Sequence, residues 1–333
     1  MVSMKDIARK CGVSVATVSK ALNGQPDIGA QTRERICKTA KEMGYMANSM
    51  ARALKTNRTY NLGVLFVDEW RSGLGHEYFS TMLEGLKAEA ESHGYDITFI
   101  NSNVGTRPIS YLQHCKYRSL DGIIIACVDF TDPRILELVQ SDVPLVTIDH
   151  VFPGHTAVRS NNISGVETLV RYAYERGHRR IAFVHGEDIA VTRGRLEGFR
   201  RACQELGLEI PEEYLVSSVY HDPDRCAEGT RKLLALEELP TCVLFSDDYS
   251  FMGAYDAILD SGRSIPEDIS AMGYDGINLA RMMHLTTYSQ QAAAIGRVAV
   301  EQLIRQIEHP EDTKPEVVTV PGSLMEGRTV KTL

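Results

Sequence analysis

Residues 4–23, MKDIARKCGVSVATVSKALN, hold two short helical patterns joined at a glycine, and no other stretch constrains the chain as tightly. Met4, Ile7, Ala8 and Cys11 recur at i, i+3, i+4 and i+7, which predicts one apolar stripe on a first helix. Ser3 is placed to cap that helix, and Gly12 supplies the backbone freedom for a tight turn. Val13 is expected to reach back into the core, and Ser14 to cap a second helix from Val15 to about Asn23 that buries Val18, Ala21 and Leu22.

The second helix would present Val15, Ala16, Thr17, Ser19 and Lys20 outward. Small side chains at the start of an exposed helix fit a major groove, where Val15 and Ala16 would meet thymine methyls and Lys20 a guanine acceptor or a phosphate. The alternative is a helical hairpin with ordinary exposed residues. A third helix is expected from Gln31 to Met43, with Ile36, Ala40 and Met43 inward, Thr32 beside a helix start suited to a phosphate, and Gly44 ending it. From Tyr45 to Leu54 one or two further helical turns are expected, too short to be stable unaided.

Charge divides the chain in the same place. Residues 1–58 carry eleven Lys and Arg against four Asp and Glu, a net of +7; the whole chain is −8, so the other 275 residues carry −15. A basic head on an acidic body suits a polyanionic partner for the head alone. Seven cysteines, scattered and never spaced CxxC, read as reduced thiols rather than a disulfide framework or a zinc site. With no signal-like start and no apolar run near the ~18 residues that cross a bilayer, the expectation is a soluble cytoplasmic protein with no membrane partner.

From Asn61 onward, apolar runs of strand length alternate with amphipathic helices. Strands are predicted at 62–67, 97–101, 122–128, 145–148, 181–185, 215–219, 243–246 and 270–274. Helices are predicted near 79–92, 133–141, 165–176, 194–206, 224–236, 251–261 and 295–308. This alternation implies α/β architecture with parallel doubly wound sheets, divided into two lobes whose crossovers fall near Ser160, Gln290 and Pro321, with a ligand cleft at the carboxyl ends of the strands.

These residues resemble the LacI/GalR family of bacterial transcriptional regulators. The head carries the signature as Asp6-Ile-Ala-x-x-Cys-Gly-Val-Ser-x-Ala-Thr-Val-Ser-Lys-Ala-Leu-Asn23, followed by Tyr45, Asn48, Ala51 and Leu54. The body carries Asn161-Asn-x-x-Gly165, Arg176-Gly-His, Arg195-x-x-Gly-Phe199, Asp248, Pro266-Glu-Asp-Ile-Ser270, Gly273-Tyr-Asp275, Leu285-Thr-Thr287 and Gln290. The resemblance implies an all-α helix-turn-helix headpiece over 1–47, a hinge helix and linker over 48–58, and a two-lobed periplasmic-binding-protein-like core over 59–333. Lobe 1 would comprise about 60–160 with 290–320, and lobe 2 about 161–289 with 321–333.

It further implies a repressor that binds double-stranded palindromic operator DNA as a homodimer or tetramer, controlled by a small polar effector, a saccharide or a derivative of one. The DNA-contacting set would be Met4, Ser14, Val15, Ala16, Thr17, Ser19, Lys20, Asn23, Thr32, Tyr45, Asn48 and Ala51, with Leu54 wedged into a minor-groove step. Lys20 departs from the family's arginine and lacks the bidentate fork.

For the effector, Arg195 and Asp275 match ligand-bonding positions, the alternative being a structural ion pair. Tyr78 and Phe79 match an aromatic contact, although Phe79 also suits the core. Asp149 and Asp247 match positions facing the cleft, and as strand-end carboxylates suit capping equally well. Asn161, where the family has aspartate, and Asp247, where it has asparagine, alter the acceptor pattern.

Enzyme readings fail on spacing. His76-Glu77 does not complete HExxH because position 80 is serine, Gly73-x-Gly75 is not a dinucleotide fingerprint, and no Walker A or GxSxG sequence occurs. No metal, cofactor or catalytic residue is expected, and the ten histidines show no metal-ligand spacing.

Overall fold

The computed structural model describes residues 2–22, 24–45, 58–67 and 75–333. The chain forms two compact units, Met1–Thr59 and Tyr60–Leu333.

Among its described residues the first unit holds three helices: α1 (Met4–Cys11), α2 (Val15–Leu22) and α3 (Ala30–Glu42). Ser3 caps α1 in a reciprocal capping box, its Oγ accepting from the Asp6 amide while Asp6 accepts from the Ser3 amide. Gly12 ends the helix at φ +65°, the left-handed geometry that glycine adopts without a Cβ clash. Ser14 Oγ accepts from the Thr17 amide at 3.0 Å and so starts α2. Ile7, Ala8, Cys11, Val18, Ala21, Ile36 and Ala40 are buried together, with Val13, Leu22, Met43 and Tyr45 packed around them.

The second unit holds two six-stranded sheets. One runs β13 (Val317–Val320), β7 (Thr156–Ser160), β6 (Leu145–Ile148), β5 (Gly122–Ala126), β1 (Asn61–Phe66), β2 (Asp96–Phe99), with every pair parallel. The other runs β14 (Ser323–Met325), β12 (Thr286–Ser289), β11 (Ser270–Asp275), β10 (Cys242–Phe245), β8 (Ile181–His185), β9 (Leu215–Ser217); only β14 is antiparallel. A small hairpin, β3 (Asn103–Val104) and β4 (Arg107–Pro108), stands apart.

Alternate residues of each strand pack on opposite faces. Leu62, Ile124, Val146 and Val158 join the core under α4 (Glu77–Ser92) and α12 (Ala292–Glu308). Leu65, Ile123, Ile125 and Leu145 join the core under α5 (Tyr111–Arg118) and α6 (Pro133–Val139). The second sheet is covered likewise by α7 (Asn162–Glu175) and α8 (Ala190–Glu205) on one face, and by α9 (Pro223–Leu234), α10 (Phe251–Asp260) and the short α11 (Asn278–Met282) on the other. Coverage on both faces is why the strands read as nearly continuous apolar runs.

The chain passes between the sheets after β7, after β12 at Gln290–Gln291, and at Pro321–Gly322 between β13 and β14. Asn161 caps α7, its side-chain oxygen accepting from the Ser164 amide at 3.2 Å, so asparagine is a competent residue at the first crossover.

The sequence reading anticipated eight strands, and the sheets contain twelve. The strands it lacks, β7, β12, β13 and β14, are only three to five residues long; β7 (TAVRS) and β12 (TTYS) are rich in threonine and serine, so no apolar run marks those two. In β12 the buried hydroxyls are paired: Thr287 Oγ1 donates to Asp248, and Gly327 N–H donates to Thr286 Oγ1. Helix α5 was also not anticipated; YLQHCKYR has no clean apolar stripe, and a Ser110–Gln113 capping box starts it.

Candidate nucleic-acid interface and effector cleft

On the first unit, Ser14, Val15, Ala16 and Lys20 are exposed, and Thr17 and Ser19 half-buried. Val15 keeps 41% of its surface in solvent, high for a β-branched apolar side chain at a helix start. Two groups are less free than the sequence suggested. Ser14 Oγ is occupied as the cap of α2, also meeting Thr17 Oγ1 at 2.9 Å. Lys20 Nζ is 2.5 Å from Asp27 Oδ2, and this bond holds the Asp27 carboxyl below its ordinary range.

Met4 and Tyr45 pack against the headpiece core rather than standing clear of it. Thr32 lies in the first turn of α3, whose N-cap is Gly29 with no side-chain cap. Amide donors are thus left open at a positive helix end. Asn23, Asn48, Ala51 and Leu54 lie outside the described residues.

In the second unit the carboxyl ends of both sheets face one cavity of about 510 Å³. The loops after β5, β6, β8, β9 and β12 supply Phe130, Asp149, Ile189, His221 and Gln290 respectively, the last residue of β11 is Asp275, and α4 adds Tyr78 and Phe79. Four of its lining residues, Cys127, Asp149, His221 and Asp275, have positive φ, at +52°, +62°, +56° and +118°. Strained non-glycine backbone concentrated around one cavity is a mark of a built site.

Arg195 is the centre of its floor. It rises from α8, is 3% exposed, and stacks 3.7 Å over the Tyr274 ring. Its Nε donates to Asn162 Oδ1 at 2.9 Å, its Nη1 to the Ser246 carbonyl at 2.5 Å, and its Nη2 lies 3.9 Å from Asp275 Oδ1. Asp275 also accepts from Gln290 Nε2. Burial pushes the Asp275 carboxyl up to about 7, against the pull of Arg195. Burial likewise raises Asp149, with Arg195 and the Tyr78 hydroxyl opposing it.

Asp247 is not a cleft residue, contrary to the sequence expectation. It is fully buried behind His221 and absent from the cavity wall. It accepts from Ser246 Oγ, from the Ser250 amide and hydroxyl, and from the His221 amide. Burial acts to raise its carboxyl, but the His221 ring 3.5 Å away and the Ser250 donors hold it low, and Asp247 in turn raises His221 against its own burial. Its task is to position His221. Asp248 performs a similar service for the loop after β11, accepting from the amides of Gly276 and Ile277 and from Thr287.

Residues that sequence reasoning missed form the walls. Phe130 and His150 stack at 4.3 Å with planes 9° apart, and Ile189, 43% exposed, and Val191 line the wall from the second lobe. Each follows the end of a parallel strand, the one signal that would have found them. Two contacts tie the lobes beside the cavity: the Asn278 amide donates to Glu77 Oε1 at 2.7 Å, and the His76 and His221 rings lie 3.8 Å apart.

Comparison with known proteins agrees in both units. Residues 3–48 match the model for bacterial regulatory proteins of the lacI family, and residues 170–330 match a periplasmic binding protein-like domain. The chain is 30% identical to the ribose operon repressor of Haemophilus influenzae, with 98% of each chain covered. It is 28% identical to the HTH-type transcriptional repressor PurR of Mannheimia succiniciproducens, with 99% of each covered. A structure of the lac repressor dimer bound to operator and an anti-inducer has the same fold, with a TM-score of 0.79 at 22% identity over 99% of both chains.

Proposed function

This chain belongs to the lacI family of bacterial regulatory proteins, and we propose that it is a transcriptional repressor that reads a palindromic operator as a homodimer and is gated by an uncharged, polyhydroxylated effector held in the cleft. The headpiece contacts would be made by Val15, Ala16, Thr17, Ser19 and Lys20 in the major groove, with the α3 start at Thr32 on a phosphate. Two heads are required because one short recognition helix buries little surface, and two-fold symmetry then demands a palindrome. The division of the second unit into lobes 60–160 with 290–320 and 161–289 with 321–333 is part of this reading.

The observation that carries the effector class is the charge of the cavity. Among the described residues, Asp129, Asp149, Glu187, Asp188 and Asp275 line it against Arg193, Arg195 and the rings of His150 and His221, the last paired with Asp247. Arg193 is paired with Asp188 at 2.8 Å, and Arg195 is spent on Asn162, Ser246 and Asp275. Among the described residues a phosphate or carboxylate would find no uncommitted guanidinium or ammonium there, whereas hydroxyl donors suit Asp149 and Asp275. The Phe130–His150 stack facing Ile189 and Val191 offers an apolar slot for the C–H face of a sugar ring or a flat substituent. A volume of about 510 Å³ lies in the range that encloses drug-sized molecules.

Gating follows from the lobe contacts. A ligand bridging Asp149 on one lobe and Asp275 on the other changes the balance that Glu77–Asn278 and His76–His221 set between lobes. A coupling of about 1–3 kcal/mol, typical of allosteric proteins, is enough to alter operator occupancy several-fold or more. The cleft is a binding site, as befits relatives named as repressors.

The test is a thermal-shift screen of neutral sugars, glycosides, nucleosides and their phosphorylated forms, repeated with a duplex selected by the protein from random DNA. The expected hit is an uncharged polyol whose stabilisation changes when the duplex is present. A phosphorylated hit without its neutral parent would overturn the effector class, and failure to select any duplex would overturn the DNA reading. Leu54→Ala is expected to weaken binding to the selected palindrome; unchanged affinity would remove the wedge role.

A further inference from the structure

A second, smaller cavity of about 290 Å³ lies away from the cleft, between the edge strand β9 and helix α9. It is lined by Ser217, Ser218, Val219, Arg225, Glu228, Gly229 and Lys232. Arg225, Glu228 and Lys232 are spaced i, i+3 and i+7, so α9 turns all three toward the groove. Arg225 is paired with Glu228 at 3.0 Å, and Lys232 makes no ion pair among the described residues.

Ser218 is the independent observation. It is only 7% exposed, yet its Oγ has no hydrogen-bond partner, while its amide is committed to the His185 carbonyl at 2.7 Å. A buried hydroxyl left unpaired is costly, and its presence in the wall of a basic groove calls for an acceptor supplied from outside. A hydroxyl, an ammonium and a guanidinium lining one small groove are donor chemistry for a compact oxyanion.

We propose that this groove is an accessory site for a phosphate group, held by Ser218 Oγ, Lys232 and Arg225, and separate from the effector cleft. It stands independently of the operator reading. Binding loosens the Arg225–Glu228 pair, because the dianion competes for the guanidinium and repels the carboxylate. Its occupant also bears on the cleft through the chain: Ser218 precedes, by two and three residues, Tyr220, hydrogen-bonded to Thr192, and His221, facing Asp247.

The experiment is titration of the intact protein with inorganic phosphate, followed by 31P line broadening at constant ionic strength in chloride. Saturable binding is expected, with sulfate competing. Lys232→Gln should weaken it about tenfold, and Glu228→Gln should strengthen it several-fold because a repelling charge is removed. Ser218→Ala should weaken it without lowering the melting temperature, since the hydroxyl lost had no partner.

A parallel titration with glycerol phosphate separates the sources: tighter binding than inorganic phosphate assigns the site to a phosphomonoester metabolite, and equal or weaker binding to free phosphate. Non-saturable binding, or affinity indifferent to Lys232→Gln, or weakened by Glu228→Gln, would overturn the proposal.

Discussion

Lys20 on the recognition helix and Asp27 in the loop after it form a direct ion pair, Nζ to Oδ2 at 2.5 Å, with both side chains about half in solvent. The only long cation among the proposed groove-facing residues of α2 is therefore shared with an internal carboxylate, and DNA must displace that carboxylate to claim it. Asp27→Asn is expected to raise affinity for any duplex at low salt by roughly three- to tenfold and to steepen the salt dependence by about one unit of log–log slope, the signature of one more phosphate contact. Lys20→Ala should reduce the slope by a similar step. Fluorescence anisotropy over a salt series checks both. If Asp27→Asn left slope and affinity unchanged, Lys20 would be reading a base or nothing.

The first lobe depends on two glycines at the crossing of α4 and α12. A Cβ on Gly85 would fall 2.1 Å from the Ala293 carbonyl oxygen, and one on Gly296 would fall 2.1 Å from the Met82 carbonyl oxygen. The obstructing atoms are backbone, so neither helix can yield locally. Gly296→Ala is expected to cost about 1–3 kcal/mol by overpacking. In a unit of this size that corresponds to a fall of roughly 2–10 °C in melting temperature. Differential scanning calorimetry would register it, and a stable Gly296→Ala protein would mean that the two helices separate more readily than their backbone contact implies.

The headpiece was legible because its signals are local: Ser3, Gly12 and Ser14 each act within four residues of themselves, and the strands of the body were legible where both faces are apolar, as in Gly122–Ala126. Three things were not. Threonine strands such as β12 hide among loops because their burial is satisfied by hydrogen bonds rather than by apolar side chains. The Lys20–Asp27 pair spans a turn whose path no helical period encodes. The exchange of roles between Asp247 and His221 depends on His221 adopting φ +56° and covering the carboxylate, a backbone state that the sequence Tyr220-His-Asp does not announce. Arg195, by contrast, was found from its motif, and only its partners required the fold.

Those partners make Arg195 a structural residue as well as a candidate ligand contact. Arg195→Ala would strand the Asn162 oxygen, the Ser246 carbonyl and the Asp275 carboxylate in a buried floor. Loss of one member of a buried charged pair typically costs about 3–5 kcal/mol, and that range is expected here from urea unfolding of the second unit. Arg195→Lys keeps the charge but cannot span three acceptors that a planar fork reaches together, so it should recover stability only in part while effector binding stays weak. Full recovery of both by lysine would show that charge alone, and not the fork, holds the floor.

Asp275 gives the pH dependence a definite sign. Its carboxyl is raised from 3.8 to about 7 in the folded protein, so folding favours the protonated form. The stability it contributes is fully present below about pH 4, the ordinary aspartate value, and is lost as pH rises through about 7. Between pH 5 and pH 8 the second unit should therefore lose stability through this group, and Asp275→Asn, which cannot ionise, should flatten that part of the profile. Effector affinity runs the other way. A hydroxyl donor needs the carboxylate, so binding should tighten as pH climbs from 6 toward 7, release a proton, and level off above. Calorimetric titration of a screened polyol in two buffers of different ionisation enthalpy measures the proton released; an uptake of protons, or a pH-independent affinity that survives in the wild-type chain, would show that Asp275 is already ionised before the effector arrives.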